Sequence, residues 1–257
     1  MSAHPSWGIV VNRAGEIYYS DLETVWKIDR SGHVSVARAG VDGRHVHELS
    51  IDANDNVYGQ DYDGTSMHTW KLTPSGKVTF SNAAGVWRDR SGNDYFVDEN
   101  EHLRTQTRIL KNGKPFAGGR FGHADGDATH AQFGHIGAIT ITDAIYVTDD
   151  PFVRRVTLDG KVTTIAKDLD RPHAKDAYDF GSLMGIAAAP NGDVYVADFR
   201  NRRVVKIAKG VVTTVTTSPA PWSPAGVAVG PHGEIYALET AFDPPRTWRA
   251  PRVRRVK

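Results

Sequence analysis

Apolar and polar positions along this chain alternate in short runs and sustain no helical period. Residues 9–11 are apolar, a turn follows at Asn12-Arg13-Ala14-Gly15, and residues 16–20 return as Glu-Ile-Tyr-Tyr-Ser before Asp21. The same phrase (apolar strand, turn, Val- and Tyr-rich strand, acid) occupies residues 8–21, 48–61, 85–98, 137–149, 185–198 and 226–239. Two further strands follow in each unit, as at 24–29 and 34–37. The cleanest copy runs 186–189, a turn at Asn191-Gly192, then 194–197, 204–207 and 211–215. β-Branched and aromatic residues at these positions suit pleated surfaces packed between sheets. Gly and Asn fall where tight turns need positive φ.

Starts spaced by about 40 to 50 residues are those of four-stranded propeller blades. The pattern predicts an all-β, six-bladed β-propeller of four-stranded antiparallel blades, one domain over residues 1–257. Its blades span about 6–40, 45–81, 83–119, 134–167, 183–217 and 223–257. Blade six departs from the rest. Its third strand falls near 252–256, so it is expected to have three strands and to close the ring by packing rather than by a shared strand. An unpaired outer edge, able to pair with another chain, follows from that, and truncation of a longer protein would account for the short blade equally well.

Composition narrows the functional classes. Hydrophobic residues make up 40% of the 257, in runs too short to span a bilayer. The first residues lack the basic stretch and apolar core of a signal peptide, which predicts a cytoplasmic protein with no membrane partner. The absence of cysteine excludes disulfides and thiol catalysis. A net charge of +1 gives no global attraction to nucleic acid. Residues 246–257 carry five Arg and one Lys with no acid, which reads as a charged edge strand or as a binding patch.

In a propeller, the start of each first strand and the turn after each second strand share one face at the channel mouth. Of 11 His, eight are assigned to that face: His45, His47, His68, His102, His123, His130, His135 and His173. Acids ending the second strands gather there too. Imidazole beside carboxylate suits a divalent metal, Zn²⁺ or Ca²⁺, or general acid–base chemistry. The sharpest constellation is His45-Val46-His47 with Asp61-Tyr62-Asp63. Folding blade two about Asn54-Asp55 places His47 opposite Asp61 and Tyr62, and residues two apart in a strand share a side. His45, His47 and His135 are the candidate metal ligands. Asp61, Tyr62 and His102 are the candidate catalytic groups, and Trp7, Trp222 and Met184 the candidate ligand wall. A structural alternative stands beside this, because an acid closes the second strand in all six copies and so can serve as a turn cap. Gly118-Gly119-Arg120 precedes no helix that would cradle phosphate, and Asp125-Gly126-Asp127 lacks the rest of an EF-hand loop. No nucleotide or organic cofactor is indicated.

Residues 191–204 (Asn-Gly-Asp-Val-Tyr-Val-Ala-Asp-Phe-Arg-Asn-Arg-Arg-Val) resemble a repeat of the NHL family, as does the lead-in Ala117-Gly118-Gly119-Arg120, Ala124-Asp125-Gly126, Ala131-Gln132-Phe133. The resemblance implies a propeller related to the gluconolactonase and regucalcin group, to strictosidine synthase and to the peptidyl-amidating lyase. The lyase pattern implies channel histidines in three blades. The equivalent residues here are Trp7, His47, Ala84, Ile136, Met184 and Ala225, of which one matches. The gluconolactonase pattern implies Glu, Asn and Asp ligands, and none of the six is acidic or an amide. Strictosidine synthase-like chemistry implies a channel glutamate base, for which Glu239 is nearest. The expectation is a small-molecule hydrolase or lyase at the channel mouth. The alternative is a scaffold that binds a protein or peptide on that face. RNA recognition would need a basic face, and the acidic rim argues against it.

Overall fold

The computed structural model describes residues 5–81, 85–99, 105–169, 182–243 and 247–256. Strands account for nearly all of the regular structure, with one short 3₁₀ turn at Ala128–His130. The strands form six antiparallel sheets arranged around an axis. Inner strands are Ile9–Val11, His45–Ile51, Trp87–Arg88, Ile136–Ile141, Leu183–Ala188 and Trp222–Val229. Five blades continue to a fourth strand: Val34–Arg38, Val78–Ser81, Lys114–Arg120, Val162–Ala166 and Val211–Thr217. In blade six the third position is filled by two pieces, Thr247–Trp248 and Arg252–Arg255, both paired with Ile235–Asp243. That blade is three-stranded.

Sequence alternation becomes two buried faces per blade, because each sheet is sandwiched between its neighbours. Ile9, Ile17, Ala228 and Leu238 join blade one to blade six, with Ile28 and Val253 packed against them. The ring therefore closes through side-chain packing. Inner strands approach closely enough at the axis that glycine is required in most of them. A Cβ at Gly185 would lie 2.7 Å from the Gly226 Cα, and one at Gly226 would lie 2.9 Å from Ile9 Cγ2. At the first position of the repeat phrase five blades carry glycine (Gly8, Gly85, Gly137, Gly185, Gly226) and blade two carries Glu48.

Blade two differs from the simple folding of its sequence about the turn. His45 pairs with Tyr62 and Val46 with Asp61, and the register then slips before Leu49 meets Gly59. His47 and Glu48 form a bulge against Gln60. Similar slips occur at the start of the inner strands of blades four, five and six. A bulge re-aims side chains locally, and here it leaves His47 opposite Gln60 and not opposite the expected Asp61 and Tyr62.

Candidate active site

Six apolar residues, one from each blade, form a collar in the channel: Ile9, Leu49, Trp87, Ile139, Ile186 and Val227. On the side of the strand starts, the collar bounds a cavity of about 30 Å³ that also touches Trp7, Glu48 and Ala138. On the other side lies a larger cavity of about 180 Å³, reaching Val11, Ile51, Thr142 and Val229. The greater volume is thus at the end opposite the mouth. The chemistry is not.

Glu48 is the carboxylate that faces the collar. Trp7 Nε1 donates a hydrogen bond to Glu48 Oε1 at 2.9 Å. Enclosure strips water from the carboxylate and pushes its pKa up to about 8, while the Trp7 N–H and the charge of His135 pull against that rise. The surrounding side chains are fixed by blade-to-blade contacts. Trp7 N and Ser6 Oγ both donate to the His47 carbonyl, at 3.0 and 3.1 Å. The Trp7 indole stacks on the His47 ring with centroids 5.4 Å apart, and His45 meets His47 edge-on at 6.1 Å. His135 Nδ1 lies 3.1 Å from Glu99 Oε1.

The structure distributes the other candidates around this point. His45 and His47 are neighbours and His135 acts electrostatically on Glu48. Among the described residues, however, no three of His, Asp and Glu gather as a metal-holding group. Asp61 is 1% exposed. Its oxygens are taken by Arg38 Nη2 at 2.5 Å and Trp70 Nε1 at 2.9 Å, with the Arg38 guanidinium over the Trp70 ring. Tyr62 is partly exposed and donates to the Gly64 carbonyl within its own turn. Met184 is buried in its strand. Trp222 begins the inner strand of blade six, and the Arg252 guanidinium stacks on it at 4.1 Å. His102 lies outside the described residues.

Acids ending the second strands are structural anchors, and five of the six are paired to arginine. Asp98 takes Arg108, Asp149 takes Arg154, Asp198 takes Arg203, and Glu239 takes Arg252 and Arg254. Asp61 takes Arg38 from the neighbouring blade. Asp21 acts as a turn cap, accepting from the N–H groups of Glu23 and Thr24 and from Trp26 Nε1, and Asp198 also accepts from the Asn201 N–H at 3.4 Å. Burial pushes the Glu239 carboxyl up, but Arg254, Ser218 and Arg252 outweigh it and hold the pKa below its ordinary value. Glu239 is therefore a fully occupied core anion and not a channel base. Glu48 is the channel glutamate. Its signal in the sequence is that it replaces glycine in one copy of six.

Comparison with known proteins agrees with this architecture. An NHL repeat model matches residues 181–207. No curated protein matches the sequence. The fold is similar to a gluconolactonase from Xanthomonas campestris (TM-score 0.60, 12% identity, 91% of this chain and 84% of that one). It is similar to virginiamycin B lyase from Staphylococcus aureus (TM-score 0.53, 13% identity, 96% and 84%). It is also similar to the PQQ-bound aldose sugar dehydrogenase from Streptomyces coelicolor (TM-score 0.55, 14% identity, 91% and 88%). At these identities the likeness is one of fold.

Proposed function

We propose that this propeller is a small-molecule hydrolase or lyase acting at the channel mouth, with Glu48 as its proton-transfer group. The observation that carries the reading is a half-buried carboxyl lining the channel, hydrogen-bonded by Trp7, whose pKa is pushed up to about 8. General acid–base catalysis is most effective when the group titrates near the working pH. Neutral Glu48 donates a proton to a leaving oxygen. Ionised, it removes one from carbon or from water. Trp7 orients the carboxyl through its N–H, and the stacked His47 ring holds Trp7 in place. The cavity beside Glu48 is only about 30 Å³, so the reacting bond enters while the bulk of a substrate rests at the mouth near His45, His47 and His135. Fold neighbours named as a gluconolactonase and a virginiamycin B lyase support an enzyme of this class.

A divalent metal on His45, His47 and His135 does not fit the side-chain arrangement, which leaves them in no group of three with each other or with acids among the described residues. No step is routed through one.

Purified protein should be assayed against lactones, esters, hydroxy-amides and streptogramin B antibiotics, beside Glu48→Gln. Turnover falling on the order of 10²- to 10⁴-fold in the variant, with a limb near pH 8 in the parent profile, is the expected result. A substrate turned over equally by both proteins would overturn the assignment. No turnover at all, with a protein or peptide captured at the mouth, would favour the scaffold reading. Plasma mass spectrometry on chelator-free protein reads metal content independently.

A further inference from the structure

Blade six presents a vacant strand position with prepared walls. Among the described residues, Arg252–Arg255 is paired on one side only, to Ile235–Asp243, whereas the other five blades add a fourth strand there. The neighbouring blades keep apolar side chains aimed at that position. On blade one, Val34 pairs with Ile28 and Val36 with Trp26. Directly paired residues share a face, and Ile28 packs toward blade six against Leu238 and Val253. Val34 and Val36 therefore face blade six, and they are 47% and 53% exposed.

On blade five, Val204 packs against Ile235 and Ala237 of blade six. Lys206 and Ala208 share its face, so their partners Thr213 and Val211 point the same way. Val211 is 61% exposed. Val215 belongs to the same interface. The position thus has a free strand edge as its floor and Val34, Val36, Val211 and Thr213 as its sides.

We infer that this position is a docking site for an extended segment of another polypeptide, which adds as the fourth strand of blade six. Fourth strands of the other blades run four to seven residues, and the segment has that length. Main-chain hydrogen bonds to an open edge supply affinity, and alternate side chains supply specificity. Apolar side chains of the segment meet the valines. Charge favours acidic residues: Arg252 and Arg254 share Glu239, and Arg255 is exposed, with the charge of Glu234 near it. The site is independent of Glu48.

The probe is a fluorescein-labelled seven-residue peptide of alternating Val and Thr flanked by Glu, titrated with full-length protein and read by anisotropy. Saturable binding is expected at about 1–100 μM. The same peptide N-methylated at alternate amides should bind at least tenfold more weakly, since its edge hydrogen bonds are gone. Val36→Lys and Val211→Lys should each weaken binding about tenfold. Lysine keeps the attraction for the acidic peptide, so that loss reports apolar contact, and the exposed positions tolerate the change. No saturation up to about 1 mM, or binding indifferent to both variants or to N-methylation, overturns the inference. Sedimentation as a dimer that the two lysine variants dissociate would assign the position to a second copy and overturn the peptide as occupant.

Discussion

Replacing Glu48 by glutamine probes the state of this carboxyl through stability, apart from any turnover. Glutamine keeps the shape, and its amide oxygen still accepts the Trp7 N–H, but it cannot ionise. In the unfolded chain the glutamate releases its proton near 4.5, whereas in the folded protein it keeps it until about pH 8. Between those values the folded state holds the extra proton, so stability of the parent falls as pH rises, and the loss is complete above about 8. At 1.36 kcal/mol per pH unit the full interval corresponds to at most about 5 kcal/mol. Water entering the channel screens part of this, leaving about 2–4 kcal/mol. Glu48→Gln should match the parent in urea unfolding near pH 4.5 and exceed it by that amount at pH 9. Comparing the two proteins at each pH cancels the titration of every other group. A difference that stays flat from pH 4.5 to 9 would mean that Glu48 titrates as an ordinary solvated carboxylate, and the acid–base reading would fall with it.

Trp7→Phe removes the N–H that favours the ionised form, so the Glu48 carboxyl should titrate above about 8, read as a shifted carboxyl band in infrared pH titration. Arg154 is fully buried between Asp149 at 2.7 Å and Asp125 at 2.8 Å. Arg154→Ala leaves the buried Asp149 with His123 Nδ1 at 3.2 Å in place of the guanidinium and should cost about 3–5 kcal/mol in chemical denaturation. Gly226→Ala places a methyl against the Trp7 carbonyl and 2.9 Å from Ile9 Cγ2, at the closure of the ring. A loss of about 1–3 kcal/mol, seen as a lower Tm by circular dichroism, is expected. An unchanged Tm would show that blades one and six are not held this closely.

Local pattern carried most of the architecture. Alternation at 9–11 and 17–20, repeated six times, determined strands, blades and the acid at each second-strand end, because period-2 burial and turn chemistry act over a few residues. The three-stranded sixth blade was legible for the same reason. What each acid does was not. Asp61 meets an arginine 23 residues earlier on another blade, and the pairing of His45–Ile51 shifts register at His47 and Glu48, which the alternation of the strand does not show. Tertiary structure alone decided that Glu48 lines the channel cavity and carries a raised pKa. A pKa reflects desolvation and charge, and here both come from groups far away in sequence: Trp7, 41 residues earlier, and His135 on blade four. The chain alone shows a glutamate in place of a glycine. The ring around it desolvates that glutamate and pushes its pKa up.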